Sequence, residues 1–278
     1  MIPTGVSGTV FVRRFDRADR IMHALLMVSF LGLAATGLPL LFSESAWASR
    51  FAHALGGFSA AGTIHRVFAG ILIGVFLLHL ARLFNRLFVR HDRGVLWGPT
   101  SLVPQPRDIM DILGHVQWFL GRGPRPKFER YTYWEKFDYW AVFWGMAIIG
   151  GSGLMLWFPL FFSRVVPGWL FNIALLIHGE EALLAVGFIF TIHFFNGHLR
   201  PEKFPMDMVI FTGRTTVDEL RRDRPGEYAR VAASGELERL VVSAPDEQVH
   251  SAGRALGTVA VTTGVVLLSL IVYALVQR

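Results

Sequence analysis

The sequence predicts an all-α integral membrane protein folded as a helical bundle, and three features of the chain support this fold class. Hydrophobic residues occupy 53% of the 278 positions, whereas soluble domains average about 45–50% apolar residues. Charged residues account for only 17% of the chain, whereas soluble domains carry about 25%. Apolar runs also recur at the length that a membrane-spanning helix needs, which is about 20 residues.

Five apolar runs reach that spanning length. They lie at about 21–42, 63–88, 137–158, 170–196 and 255–276. The fifth run carries no charged residue, and the second is uncharged from Val67 to Ala81. The first run does not read as a cleaved signal peptide, because its basic flank is long and no small-residue cleavage site follows it.

These runs divide the chain into three parts. Residues 1–210 hold the first four runs and are expected to form a four-helix core, and residues 255–276 add a fifth, C-terminal transmembrane helix. Between them, residues 211–254 are expected to be a cytoplasmic helical segment. Its polar sequence predicts two short helices that begin near Thr216 and Pro225.

Basic residues are distributed unevenly between the two sides of the membrane. The loops at 43–61 and 159–169 hold only Arg50 and Arg164, whereas the other connections are rich in Arg and Lys. By the positive-inside rule, the N-terminus is cytoplasmic and the C-terminus is periplasmic, in a bacterial-type inner membrane. Residues 89–136 are basic and aromatic, which favours the membrane interface. The net charge of +6 is thus a topology signal, and without a nucleic-acid-binding motif no nucleic-acid partner is expected.

Two of the apolar runs each carry a pair of histidines. His65 and His79 lie fourteen residues apart in the second run, and His178 and His193 lie fifteen residues apart in the fourth. At about 100° per residue, both spacings close to within roughly 60° of four full turns, so each pair shares one helix face about 21 Å apart. Each helix thus presents one imidazole near the outer leaflet and one near the inner leaflet.

This arrangement of imidazoles is what two stacked haems with axial histidine ligands require, because haem iron accepts an imidazole on each face. A ligated imidazole also donates its second N–H, which lowers the cost of burying it. The chain has no cysteine, which excludes covalent CxxCH haem, Cys-ligated iron–sulfur clusters and disulfides. Haem b, held without a covalent bond, is therefore the expected cofactor. A packing role or a proton path is the alternative for any single intramembrane histidine.

Two stretches of the chain resemble a known family of membrane cytochromes b. "RIMHALLMVSFLGLAATGLPLLF" resembles the first span of the gamma subunits of formate dehydrogenases, Ni/Fe-hydrogenases and thiosulfate reductases, and "YTYWEKFDYWAVFWGMAIIGGSGLMLWF" is similar to their third span. The resemblance covers about residues 10–210. It implies that His65 and His178 hold an outer haem and that His23 and His193 hold an inner one. His79 lies outside this pattern, and its spacing favours pairing with His193 as an alternative.

The segments "HRVFAGILIGVFLLHLAR" and "HFFNGH" also resemble the two haem-bearing helices of the quinol-oxidising cytochrome b of bc and b6f complexes. In that family a histidine five residues beyond the inner ligand lies at the inner quinone site, and His198 takes that position here. Three roles for His198 stay open: contact with a quinone carbonyl and its protons, ligation of a third haem with His23 or His79, or hydration at the interface.

Several charged residues near these histidines are secondary candidates. Glu181 is a possible hydrogen-bond partner of His178 or of an outer protein, and the wet headgroup zone is the alternative for both Glu180 and Glu181. Arg66 and Arg82 are candidate partners of haem propionates, with snorkelling to the interface as the alternative.

Other polar residues lie towards the chain's loops. Lys203 and Asp207 in "LRPEKFPMD" are candidate proton-path residues beside the inner site. The remaining histidines are expected to be solvated loop residues; they are His53, His91, His115 and His250.

Taken together, the sequence predicts the electron-transfer, quinone-reactive subunit of a respiratory oxidoreductase complex. Two haems b, or three, would carry electrons between a periplasmic-side partner and the quinone pool, with the quinone near the cytoplasmic haem. The expected partner is an oxidoreductase, iron–sulfur or multihaem cytochrome subunit. A stand-alone carrier or reductase of the b561 type is the first alternative, and a transporter or proton channel without redox chemistry is the second.

Overall fold

The protein is an all-α membrane bundle. The computed structural model describes residues 9–277, is 74% helical and has almost no strands. Its helices are α1 (Arg17–Leu41), α2 (Ala46–Ala54), α3 (Phe58–Val89), α4 (Pro106–Phe119), α5 (Tyr133–Trp157), α6 (Pro159–Phe162), α7 (Trp169–Leu199), α8 (Val209–Thr212), α9 (Val217–Asp223), α10 (Pro225–Ala233), α11 (Glu236–Leu240) and α12 (Glu247–Val276). Within the described part of the chain, five helices are long and apolar enough to span a membrane, namely α1, α3, α5, α7 and α12.

The five predicted runs are confirmed as helices, but the helices extend beyond the apolar residues. α1 begins at Arg17, and α12 begins at Glu247, eight residues before the apolar run at 255. Helical hydrogen bonding continues into polar sequence because the polar residues lie outside the hydrocarbon, where water or charged partners satisfy them. The ends of the helices therefore do not coincide with the ends of the apolar runs.

Three of the spanning helices contain π-helical turns. These turns are Asn85–Val89 in α3, Met146–Gly150 in α5, and both Ile189–His193 and Phe195–Leu199 in α7. A π turn adds one residue to the helical repeat and leaves backbone groups out of the regular ladder, and such turns are frequent at functional sites. The sequence analysis did not predict these turns.

The chain divides into two compact units. The first, here called the membrane unit, comprises residues 21–78, 142–207 and 252–277. Its largest hydrophobic core joins three spanning helices: Ala34 and Leu38 come from α1, with Phe42 directly after its end, Val186, Phe190 and Phe194 from α7, and Leu267, Ile271 and Ala274 from α12. The helices approach closely where small residues face aromatic rings. A Cβ built on Gly264 of α12, for example, would lie 2.9 Å from Cδ1 of Phe190.

α3 joins this unit through aromatic contacts with its neighbours. The ring of Phe68 packs directly on Gly32 of α1, where a Cβ would overlap it. Phe76 makes an edge-to-face contact with Phe143 of α5, with ring centres 5.3 Å apart. Only 6% of the apolar stretch of α3 is buried, against 28% in α1 and α12, so most of its surface faces outward.

The second unit, here called the polar unit, comprises residues 9–20, 79–141 and 208–251. A small antiparallel sheet lies in it, with strand order β2-β1-β3. The strands are β1 (Phe11–Arg13), β2 (Arg214–Thr216) and β3 (Val241–Val242). The sheet pairs the N-terminal segment with residues more than 200 positions away, and the sequence analysis did not predict it.

Short helices complete the polar unit. Thr216 caps α9 by accepting a hydrogen bond from the Glu219 backbone, and Pro225 is the first residue of α10, so both predicted helix starts are confirmed. Val12, Leu220, Val231 and Leu237 form its small hydrophobic core.

Buried charge also holds this unit together. Glu227 is buried and pairs with Arg14 and with Arg130, the latter at 3.2 Å.

The prediction that His115 is a solvated loop residue is wrong. His115 lies on α4 and is buried, stacked on Phe119 with ring centres 4.7 Å apart. Aromatic rings of neighbouring residues pack around His115 and bury it.

Candidate functional site

The membrane unit brings the imidazole rings of His65 of α3 and His178 of α7 together. Their ring centres are 6.3 Å apart and their planes lie at 76° to each other. Both residues are half-buried. This is one of the pairs expected from the sequence, formed between two spanning helices.

Thr36 fixes the tautomer of His65. The Thr36 hydroxyl donates to the carbonyl of Gly32 at 2.6 Å, and its oxygen lies 3.0 Å from Nδ1 of His65. Because the hydroxyl hydrogen is engaged by Gly32, Nδ1 of His65 must be the donor in the second bond. Nε2 of His65 therefore carries a lone pair.

The π-helical turn of α5 fixes the tautomer of His178 in the same way. Nδ1 of His178 donates to the carbonyl of Ile149 at 3.0 Å, and the Ser152 hydroxyl lies 3.3 Å from the same nitrogen. A carbonyl can only accept, so Nδ1 carries the proton and Nε2 carries the lone pair. A neutral imidazole held by Nδ1–H is the form that binds metals, and the partner of the N–H sets its orientation.

Two glycines make room for these rings. A Cβ built on Gly37 of α1 would lie 3.0 Å from Cε1 of His65, and one built on Gly153 of α5 would lie 2.9 Å from Cε1 of His178. Both distances are shorter than ordinary van der Waals contact. The sequence analysis read the glycines of the third run only as close-packing positions; the structure places Gly153 directly behind a histidine.

The spacing of the two rings fits ligands on opposite faces of one iron. A metal–imidazole bond is about 2.0 Å long and each ring nitrogen lies about 1 Å from its ring centre, so two axial imidazoles have centres roughly 6 Å apart. The observed separation of His65 and His178 is 6.3 Å. Axial ligation of haem needs only two protein nitrogens. The part of the chain that the structure describes holds no cluster of three or more His, Asp or Glu side chains suited to a bare metal ion.

Space is also present along α3 and α7, between the two histidines that each helix carries. A Cβ built on Gly70 or Gly74 of α3, or on Gly187 of α7, would meet no atom of residues 9–277 within 4 Å. Each of these glycines lies between the two histidines of its own helix. Such open positions accommodate a flat macrocycle or lipid chains.

Three further histidines gather at the other end of the membrane unit. His23 of α1 lies within electrostatic range of His193 and His198, and all three are half-buried. His193 and His198 each belong to a π-helical turn of α7. The structure thus brings together the inner pair that the family resemblance implies, with His198 beside it.

His198 has an unsatisfied buried nitrogen. Its Nδ1 is inaccessible to solvent and has no hydrogen-bond partner among residues 9–277. The Phe194 ring packs edge-on against it, with centres 6.0 Å apart. A buried polar atom without a protein partner is costly and calls for a water, an ion or a ligand at that position.

His79 belongs to the polar unit and has a protein partner there. Its Nε2 lies 2.9 Å from the hydroxyl of Tyr139 in α5, at hydrogen-bond distance. This contact engages the nitrogen that haem ligation through Nε2 would use. It therefore favours His23 over His79 as the residue that pairs with His193.

The charged candidates are mostly paired with other side chains. Arg82 contacts Asp16 and Asp19 at 3.2 and 3.1 Å. Lys203 pairs with Asp207 at 2.9 Å.

The other charged candidates lie next to His65 and His178 in the sequence or within one turn of them. Glu181 accepts a hydrogen bond from the Trp144 indole at 3.3 Å. Arg66 and Glu180 are exposed.

The sequence analysis missed Thr36 and Ser152, whose hydroxyls contact His65 and His178. The available signal was a hydroxyl residue within an apolar span, next to a glycine. That signal is weak, because Ser and Thr in spanning helices commonly bond their own backbone.

Comparison with models of known protein families gives no match, and a search of the curated proteins finds none that matches this chain.

Proposed function

We propose that the protein is a di-haem b-type cytochrome that carries electrons across the membrane between a periplasmic-side redox partner and the quinone pool. The single observation that carries this proposal is the pair formed by His65 and His178. Both imidazoles are held through Nδ1–H, both have a free Nε2 lone pair, and their centres are 6.3 Å apart. Ionisable side chains inside membrane spans are rare, and they mark functional sites by default.

The inner haem would be held by His23 and His193, which lie within electrostatic range of each other. A bound haem supplies reversible one-electron transfer between iron(II) and iron(III). The chain supplies the rest: Thr36 and Ile149 orient the outer ligands, and the apolar helices exclude water from both sites. Such outer contacts set metal affinity and redox potential.

The quinone would bind beside His198. Its buried and unpartnered Nδ1 offers a hydrogen bond to a quinone carbonyl. As an imidazole it also passes protons at neutral pH. The Lys203–Asp207 pair in the loop after α7 lies close to this residue in the sequence, and it would connect the site to water.

The positive-inside distribution orients this chemistry. It assigns the end of the bundle that holds His23 and His193 to the cytoplasmic side and the end that holds His65 and His178 to the periplasmic side. An oxidoreductase, iron–sulfur or multihaem subunit would exchange electrons at the outer haem. The membrane would be the inner membrane of a bacterium.

Haem content tests the proposal directly. Purified protein should show a b-type spectrum after conversion to the pyridine haemochrome, with two haems per chain. His65→Ala and His178→Ala should each lose one haem, because each removes one axial ligand. His53→Ala, a change at an exposed histidine that bonds only the carbonyl of Ser49, should retain both. A colourless wild-type protein would overturn the proposal.

The inner ligand and the quinone site need separate variants. His23→Ala should lose the second haem and His79→Ala should keep it, because Nε2 of His79 contacts Tyr139; the reverse result would establish His79 as the ligand. His198→Phe should keep both haems but lose quinol-driven haem reduction and sensitivity to quinone-site inhibitors. Loss of a haem in His198→Phe would instead identify His198 as a ligand.

A further inference from the structure

The amphipathic helix α4 buries polar side chains and exposes apolar ones, which is the reverse of a surface helix on a soluble protein. Its buried side chains are polar, namely Asp108 and His115. Most of its exposed side chains are apolar, and those exposed by 50–71% are Ile109, Met110, Leu113, Val116 and Phe119, followed by Leu120. Helices at a water-facing surface have the opposite arrangement, with the apolar stripe towards the core.

The polar residues of α4 face inward because they have partners on α5. Both carboxylate oxygens of Asp108 lie 2.8 Å from Nζ of Lys136. Nδ1 of His115 lies 3.0 Å from the hydroxyl of Tyr133. These contacts fix the rotation of α4 about its own axis. Its apolar side therefore faces away from α5.

The position of α4 along the chain locates this apolar side at the edge of the bilayer. Tyr133 and Lys136 are in the first turns of α5, which is one of the membrane-spanning helices. A helix packed on those turns lies where that spanning helix leaves the hydrocarbon. A contiguous apolar surface at this level is typical of helices that lie in the interface plane.

The charges that follow α4 match a negatively charged lipid surface. Arg122 and Lys127 are exposed. The Arg125 guanidinium lies 5.6 Å from the centre of the Trp118 ring, a tryptophan of the kind enriched at membrane interfaces. Basic residues next to a membrane are attracted by anionic headgroups.

We propose that the outer face of α4 binds the anionic leaflet of the membrane, with its apolar side chains among the acyl chain ends and Arg122 and Lys127 at the headgroups. The occupant of this face is lipid, not a second copy of the chain and not a partner protein. The interaction anchors the polar unit to the bilayer surface and does not depend on whether the protein binds haem.

The absence of cysteine from the natural chain makes this proposal straightforward to test by spin labelling. A nitroxide is attached to Leu113→Cys and Val116→Cys in the full chain, reconstituted in vesicles of phosphatidylcholine with phosphatidylglycerol. Collision with oxygen, which concentrates in lipid, is compared with collision with a water-soluble nickel chelate. Leu77→Cys, an exposed apolar position on α3, is the lipid control, and Ala232→Cys, exposed on α10, is the water control.

The expected result is an oxygen-to-nickel accessibility ratio at Leu113 and Val116 several-fold higher than at Ala232, approaching the ratio at Leu77. A ratio equal to that of Ala232 would overturn the proposal, because the face would then lie in water. Low accessibility to both reagents would also overturn it, because another protein surface would cover the face.

The charge component has its own comparison. In vesicles of phosphatidylcholine alone, the label at Leu113 should become more accessible to the nickel chelate than in the anionic vesicles. The double variant Arg122→Gln, Lys127→Gln should remove most of that difference. Equal accessibility in the two vesicle types would rule out recognition of anionic lipid.

Discussion

At the scale of single residues, the neighbours of a histidine decide what its ring can do. His65 and His79 lie on the same helix and look alike in the sequence, yet one is held through Nδ1 by Thr36 and the other contacts Tyr139 through Nε2. Only the first arrangement leaves the lone pair of Nε2 free for a ligand. The sequence predicted that both are candidate ligands, and spacing alone could not assign the nitrogen.

Gly153→Ala tests whether the space behind His178 matters. The added methyl group would lie 2.9 Å from Cε1 of His178, so the ring must move and the outer haem should be lost or bound about 10–100-fold more weakly, as happens when ligand orientation is disturbed. Haem per chain and a haem titration measure this. Gly151→Ala is the matched control, since a Cβ there meets no described atom within 4 Å.

The control variant Gly151→Ala has a predicted effect on stability as well. Alanine favours a helix over glycine by about 1 kcal/mol, so Gly151→Ala should keep both haems and be as stable as the natural chain or slightly more. Equal haem content in the two variants would contradict the assigned role of Gly153.

At the scale of elements, the spanning helices were the predictable part of the fold. Apolar runs of about 20 residues must form helices in a bilayer, because only a helix satisfies every backbone group within one segment. The sheet of β1, β2 and β3 and the helix α4 were not foreseen. The strands are two or three residues long, too short for a period-two pattern, and α4 has its polar residues inward, which inverts the usual signal.

Gly264→Ala tests the packing of α12 on α7. The new Cβ would lie 2.9 Å from Cδ1 of Phe190 and would overlap the Phe194 ring, so overpacking should destabilise the protein by about 1–3 kcal/mol. Thermal unfolding of the purified protein in detergent measures the loss. Gly187→Ala on α7, which is open at its Cβ, should not lower the midpoint, and equal midpoints for the two variants would argue against this packing.

Lys136→Met tests the ion pair that holds α4 on α5. The change leaves the Asp108 carboxylate buried without its partner, and losing one member of a buried pair typically costs about 3–5 kcal/mol. The double variant Asp108→Asn, Lys136→Met should recover part of that stability, because it removes the uncompensated charge. Unfolding midpoints of the three proteins give the comparison, and an unaffected single variant would show that the pair contributes little.

At the scale of the whole molecule, the distribution of basic residues predicts the orientation in the membrane. The chain lacks cysteine, so a single introduced thiol reports its own side. Ser163→Cys, in the loop after α6, should react with a membrane-impermeant maleimide in intact cells, and Ala232→Cys should react only after permeabilisation. The reversed pattern would place the N-terminus outside and would move the proposed quinone site to the periplasmic side.

The sequence by itself determined that this protein is a membrane bundle with five apolar helices and histidines at recurring depths, because hydropathy and helical periodicity act within one segment. Tertiary structure alone decided which imidazoles meet, which nitrogen each leaves free and which face of α4 is apolar towards the outside. These properties depend on contacts between segments far apart in the chain, such as Thr36 with His65 and Ile149 with His178. Local sequence pattern carries no information about such contacts until the helices have packed.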